Sequence, residues 1–245
     1  MLRPLHKGRG PAKRGVNATC EFSLSRKLSR PAPDFPYPRI GNREKLGLIA
    51  KGGLMAQTVK DALLARSRLD VPEPPAQHLL RPRLSQLLEA RRRITLIVAP
   101  AGFGKTTALS GWLARSAPAR RIVWLALEED DLDPLAFASH LVSALRACDA
   151  RRGAAASQAL AQPAAVDPQA VLVRLLNDLA SDAESWSLIL DDLHRAASPA
   201  TLRVLAYALD HLPGNVDVIV TSRALPDLPL GRWRADGRLT EIGAD

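Results

Sequence analysis

"VAPAGFGKTTALSGWLA", residues 98–114, is the stretch on which the reading of this chain turns. It follows the β-branched run "ITLIV" (94–98) and leads into an apolar, helix-favouring segment. A buried strand, a glycine-containing turn that ends in Gly-Lys-Thr, and a helix make a phosphate-binding loop. Small residues let backbone N–H groups approach an anion, and the helix behind them presents its positive end. Ala99, Pro100, Ala101, Gly102, Phe103 and Gly104 then form the cradle. Lys105 reaches the β- and γ-phosphates of a nucleotide, Thr106 offers its hydroxyl to Mg²⁺, and Thr107 lies beside the α-phosphate. The usual pattern opens on glycine, and Ala99 stands in that place. The position is where the strand exits, so alanine suffices as long as φ stays negative.

Outward from the loop, strands and helices alternate. "RIVWLAL" (121–127), "SLIL" (187–190) and "VDVIVTS" (216–222) read as strands, and "RLTEIG" (238–243) as a fifth. Asp133-Pro134, Asp167-Pro168 and Ser198-Pro199 each read as a cap followed by the first helical residue. "RPRLSQLLEARRR" (81–93) reads as a helix ending on three arginines that suit its dipole. Residues 149–166, rich in alanine, read as an irregular surface loop, and "EEDDLD" (128–133) as a solvated acidic loop. The pattern is that of an α/β fold: a P-loop NTPase with a mainly parallel sheet and helices on both faces.

A nucleotide site needs an acidic residue at the end of a neighbouring strand, and "SLILDDLH" supplies two. Asp191 is the candidate for the Mg²⁺ shell and Asp192 for polarising the attacking water. His194 lies within reach on the sequence, though a histidine in a loop needs no chemical role. In "VIVTSRA", Arg223 is the candidate cation that tells ATP from ADP; the alternative is a surface arginine paired with a loop carboxylate. Calcium-loop, zinc-protease and serine-hydrolase patterns are absent from the sequence.

The net charge of +9 is not spread evenly. Residues 1–54 hold 12 Lys/Arg and 3 Asp/Glu, whereas residues 55–245 hold 22 of each. The first 54 residues, rich in Pro, Gly and basic side chains, read as a disordered basic tail, and the change of texture makes Met55 a candidate native start. Residues 55–78 read as a short helix and proline-rich linker, and 79–245 as the ATPase domain. Two cysteines, Cys20 and Cys148, form no disulfide framework, so a reducing cytoplasm is expected, and the chain has no long apolar run.

Taken in order, "LLRPRL" (79–84), "APAGFGKTT", "VWLALEEDDLDPLAFASHLVSAL", "LILDDLH" and "LDHLPGNVDVIVTSRALPDLPLGRWRADGRLTEI" resemble the MalT-like, ATP-dependent regulators of the LuxR family, a branch of the STAND ATPases. In that family the first loop glycine is often replaced ahead of Pro-Ala-Gly, so Ala99 fits. The resemblance implies ATP and Mg²⁺ as cofactors, with ATP favouring a self-associating form and ADP a closed monomer. It places Arg81 near the adenine or the pocket wall. It also implies winged-helix, repeat and DNA-binding helix-turn-helix regions after residue 245, so that the chain corresponds to the nucleotide-binding part of such a regulator. The function expected is an ATP-binding switch module with slow hydrolysis. An AAA+-like motor or loader is the alternative. That class pairs the strand-end aspartate with glutamate, whereas Asp192 stands here.

Overall fold

The computed structural model describes residues 67–75, 82–90, 92–116, 120–162 and 166–243. The chain divides into units 1–48 and 49–245, and every described residue belongs to the second. The tail boundary at residue 54, the Met55 start and the linker boundary at residue 78 lie outside the described residues.

Five strands form one sheet: β1 (Ile94–Val98), β2 (Arg121–Ala126), β3 (Trp186–Asp191), β4 (Val216–Ser222) and β5 (Leu239–Ile242). Their order is β2-β3-β4-β1-β5, and every neighbouring pair is parallel. All five therefore end at the same edge, and the loops after β1, β3 and β4 meet there. That edge is where ligands bind in open parallel sheets.

The helices bounded within the described residues are α1 (Pro82–Glu89), α2 (Lys105–Ser116), α3 (Pro134–Cys148), α4 (Ala154–Leu160), α5 (Pro168–Ala180), α6 (Pro199–Asp210) and α7 (Leu230–Ala235). Alternation along each strand sends its residues to opposite faces. Leu96, Leu188 and Val218 join one core with residues of α3, α5 and α6. Ile97, Ile189 and Ile219 join a second with Leu109 and Trp112 of α2 and Leu88 of α1. Burial on both faces explains why the middle of β3, Leu188 to Leu190, is apolar without alternation.

The Asp-Pro and Ser-Pro starts hold as read. Asp133 accepts the Leu135 N–H at 3.2 Å, Asp167 that of Gln169 at 3.0 Å, and Ser198 that of Thr201 at 3.0 Å. Each cap contributes about 1 kcal/mol.

Three expectations are corrected. Residues 149–166 are not wholly irregular: they contain α4, whose Ala156 and Ala159 are buried. Alanine packs close without large apolar residues to mark the face, and Gly153 opens the helix at φ 70°, a conformation that suits glycine. The acidic run is not a solvated loop. It forms a 3₁₀ turn (Glu129–Leu132) around a fully buried Asp131. Finally, Arg92 and Arg93 lie beyond α1, which ends at Glu89. Arg92 donates to the Gly237 carbonyl at 2.9 Å, and Arg93 to that of Leu212 just past α6. They cap other elements rather than their own helix. The α7 segment was not read from the sequence. It is anchored by Trp233, whose indole N–H donates to Asp210 at 2.6 Å.

Candidate nucleotide site

β1 continues one residue past Val98, because the Ala99 N–H donates to the Ser222 carbonyl at 3.2 Å. Ala99 is buried at this exit, and neither it nor Pro100 has a positive φ. Alanine in place of the usual glycine therefore costs nothing in backbone geometry. Gly102 and Gly104 do need to be glycine, at φ 80° and 73°. A Cβ at either would meet nothing within 4 Å, so the need is conformational and not spatial.

The loop delivers Lys105 as the first residue of α2. Its ammonium donates to the Ala99 carbonyl at 2.7 Å and to the Pro100 carbonyl at 3.2 Å. One turn of sequence thus folds back on itself and fixes the lysine under the loop. Thr106 Oγ1 donates to Asp191 Oδ2 at 2.8 Å, joining α2 to the end of β3 across 85 positions. Thr107 is half-buried, with its carbonyl accepting from Ser110. Ala101, Gly102 and Phe103 are exposed at the loop tip.

Asp191 is 4% exposed. Burial pushes its carboxyl above the usual carboxylate range, outweighing the hydroxyls of Thr221 and Thr106 and the charge of Lys105. Asp192 follows with a left-handed backbone, and its carboxylate lies 3.7 Å from the His194 imidazole. His194 is held below its ordinary value by burial, opposed by Asp192 and reinforced by the charges of Arg223 and Lys105. Arg223 is exposed just past β4 and close enough for its charge to act on His194.

A cleft of about 270 Å³ opens beside the loop, walled by Leu84 and Leu87 of α1, Phe103, Ala108 and Ile242, with Lys105 at its margin. Arg81 lies outside the described residues; Arg83, two positions on, lines this cleft. Thr106 and Asp191 are thus joined by a hydrogen bond, with Lys105 near enough for its charge to act on Asp191, and Asp192, His194 and Arg223 alongside. Thr221 was missed from the sequence. It sat inside the quoted "VIVTSRA", but only the strand register reveals that it faces Asp191.

A parallel sheet of this order, with the glycine loop leaving its inner strand β1 and paired aspartates at the end of β3, defines the class: a P-loop ATPase domain. No family model matches the chain. It is similar to the serine/threonine-protein kinase PknK of Mycobacterium tuberculosis, 32% identical over 174 residues, 69% of this chain and 16% of that protein. It is similar to the HTH-type transcriptional regulator MalT of Cronobacter sakazakii, 31% identical over 185 residues, 74% of this chain and 20% of that protein. The same regulator from Yersinia enterocolitica is 32% identical over 187 residues, again 74% and 20%. The chain is thus similar to one region of the MalT regulators and of the PknK kinase, and it spans about a fifth or less of the curated relatives it matches. Among solved structures, Cdc6p of Pyrobaculum aerophilum superposes at a TM-score of 0.45 with 14% identity, covering 71% of this chain and 47% of that one. A STAND protein with a tetratricopeptide-repeat sensor from Pyrococcus horikoshii superposes at 0.44 with 15% identity, covering 71% and 24%.

Proposed function

We propose that the domain binds Mg-ATP and serves as the nucleotide switch of a signal-responsive transcription regulator. The observation that carries this reading is the bridge from Thr106 to Asp191 beside a lysine fixed under a glycine loop. Loop N–H groups and the N-terminus of α2 receive the phosphates, and Lys105 neutralises the β- and γ-positions. Thr106 donates its hydroxyl hydrogen bond to Asp191, which leaves its oxygen lone pairs for a cation. When bound there, Mg²⁺ neutralises charge on the β- and γ-phosphates and needs few protein ligands of its own. The cleft beside Phe103 suits a flat base, with apolar walls from Leu84, Leu87 and Ile242.

Asp192 is assigned to polarise the attacking water, with Arg223 reading the γ-phosphate. Hydrolysis is expected to be slow, because among the described residues no cation beyond Lys105 and Arg223 is assigned to the γ-phosphate. The ATP and ADP states would then control self-association. As in the HTH-type relatives, contact with DNA is assigned to a helix-turn-helix outside these residues. No helix among the described residues is long and apolar enough to cross a membrane.

Thermal melts test the reading. At about 100 times its Kd, Mg-ATP adds roughly 2.7 kcal/mol to the folded state. The melt of the full chain should rise accordingly, and Lys105→Ala should remove most of the rise. A folded wild type that ignores both ATP and ADP rules the assignment out.

A further inference from the structure

Thr221 is fully buried at the end of β4, and nothing in the nucleotide reading so far uses it. The β3–β4 ladder pairs Trp186 with Val216 and continues to Leu190 with Val220, where it stops. At the next step side chains replace the backbone. Thr221 Oγ1 donates to Asp191 Oδ1 at 2.5 Å, and the same oxygen accepts the Asp192 N–H at 2.9 Å. Asp192 has φ 60° and ψ 44°, and it is the one non-glycine residue with positive φ among the described residues. A left-handed residue here turns the chain out of the sheet, which would leave its part-buried N–H without a ladder acceptor.

One hydroxyl therefore fixes two things. It holds Asp191 Oδ1, so that Oδ2 is the oxygen left to meet Thr106. It also fixes the direction in which Asp192 leaves β3. Packing does not ask for this hydroxyl. Val218 and Val220 are buried on the same strand, and valine matches threonine in shape and strand preference.

We propose that Thr221 is a positioning residue of the nucleotide site, which aims Asp191 at the cation and Asp192 at the γ-phosphate. This rests on the Mg-ATP reading above. Among the described residues, the Thr221 hydroxyl bonds to Asp191 and Asp192 and not to the glycine loop or Lys105. Its loss should spare metal-free nucleotide binding and remove the part of the affinity that depends on Mg²⁺.

The test titrates full-length wild type, Thr221→Val and Thr221→Ser with a non-hydrolysable ATP analogue, once with Mg²⁺ and once with EDTA. Wild type should bind more tightly with Mg²⁺. Thr221→Val should lose about ten- to a hundredfold of affinity in Mg²⁺, the worth of a hydrogen bond to a charged group, and stay within about twofold in EDTA. Thr221→Ser keeps the hydroxyl and should recover the Mg²⁺ increment even if losing the methyl lowers its melting temperature. In ATP turnover, Thr221→Val should lower kcat more than it raises KM. An unchanged Mg²⁺ increment in Thr221→Val, an equal loss with and without Mg²⁺, or failure of Thr221→Ser to recover the increment overturns the proposal. A wild type that binds no nucleotide in either buffer overturns the Mg-ATP reading with it, which separates the two failures. If Thr221→Val does not fold, Thr221→Ser decides by keeping or losing the increment.

Discussion

Asp131 and Asp191 are both sunk in the protein, 0% and 4% exposed, yet their carboxyls are displaced in opposite directions. At Asp131 burial raises the carboxyl. A hydrogen bond from His140, the Glu128 N–H and the charge of Arg68 more than reverse that, so it ends below the usual range. Arg68 is itself buried, pairs with Asp131 Oδ2 and donates to the Ala126 carbonyl at 2.9 Å. At Asp191 burial wins, because its direct partners are two neutral hydroxyls. Asp131 has its counter-charge built in and is a structural pair. Asp191 is left short of positive charge, at the edge of the sheet where a cation-bearing ligand would supply it. Burial alone does not distinguish a carboxylate whose charge is already matched from one whose charge is not; the identity of its partners does.

The largest expected effect breaks the first pair. Arg68→Ala takes the buried arginine from Asp131 and leaves only His140 and the Glu128 N–H to hold its charge, which costs up to about 3–5 kcal/mol. Urea unfolding should show that loss. Asp191→Asn should change stability without nucleotide by less than about 1 kcal/mol, since the amide can still accept from Thr221 and the Thr106 hydroxyl can rotate to accept from it. The same Asp191→Asn protein should lose its Mg²⁺-dependent affinity. Equal destabilisation by the two substitutions would erase the distinction between the two aspartates.

Protonation of Asp131 breaks the same pair from the other side, doing reversibly what Asp131→Asn does by mutation. The folded pKa of Asp131 lies below its unfolded value near 4, so its contribution is present above about pH 4 and is lost as the pH falls through the folded value. Unfolding measured from neutral pH downwards should show wild type losing stability in that acid window faster than Asp131→Asn. Other depressed carboxylates, among them Asp149 at about 2 beside Arg151, act in both proteins and cancel in the difference. Parallel acid limbs in the two proteins would mean that Asp131 is not held ionised.

A smaller, selective effect is expected at the ligand side. Lys105→Ala should weaken ATP and ADP together, whereas Arg223→Ala should weaken ATP alone, by about 1.5–3 kcal/mol or ten- to a hundredfold. Titration with ADP and a non-hydrolysable ATP analogue separates them. Equal losses for both nucleotides would make Arg223 a surface residue and place γ-phosphate reading elsewhere.

The two aspartates were not equally legible in the sequence. Gly102, Gly104, Lys105 and Thr106 stand in a fixed local spacing because one turn of chain must wrap one phosphate group. Asp191 follows a run of buried strand, a context visible without the fold. Asp131 sat in a run of acids that looked solvated, and its partner Arg68 lies 63 positions away with no local pattern to connect them. Thr221 was hidden for the same reason: its partner is set by the register of β3 on β4. The alanines of α4 carry too little apolar bulk to show a helical period. Arg92 and Arg93 are read correctly only once Gly237 after α7 and Leu212 after α6 are known to lie beside them.

The smallest effect tests whether the two regions are mechanically separate. The Ser198 hydroxyl caps α6 through the Thr201 N–H at 3.0 Å and donates to the Leu132 carbonyl at 2.6 Å, next to Asp131. Thr201 Oγ1 also donates to the Leu132 carbonyl, at 2.9 Å, so Ser198→Ala leaves that oxygen satisfied. The expected cost is the cap alone, about 1 kcal/mol. The turn that holds Asp131 connects to the nucleotide edge through the Leu127 N–H, which donates to the Asp191 carbonyl at 2.9 Å. That link is backbone to backbone within the sheet and does not touch the Asp191 carboxylate. Ser198→Ala should therefore lower the melting temperature while leaving the melt shift produced by Mg-ATP unchanged, and its cost should add to that of Thr221→Val within about 0.5 kcal/mol. A reduced nucleotide shift, or a clear departure from additivity, would show that the turn around Asp131 and the site around Asp191 move as one unit, with Leu127 as the coupling residue.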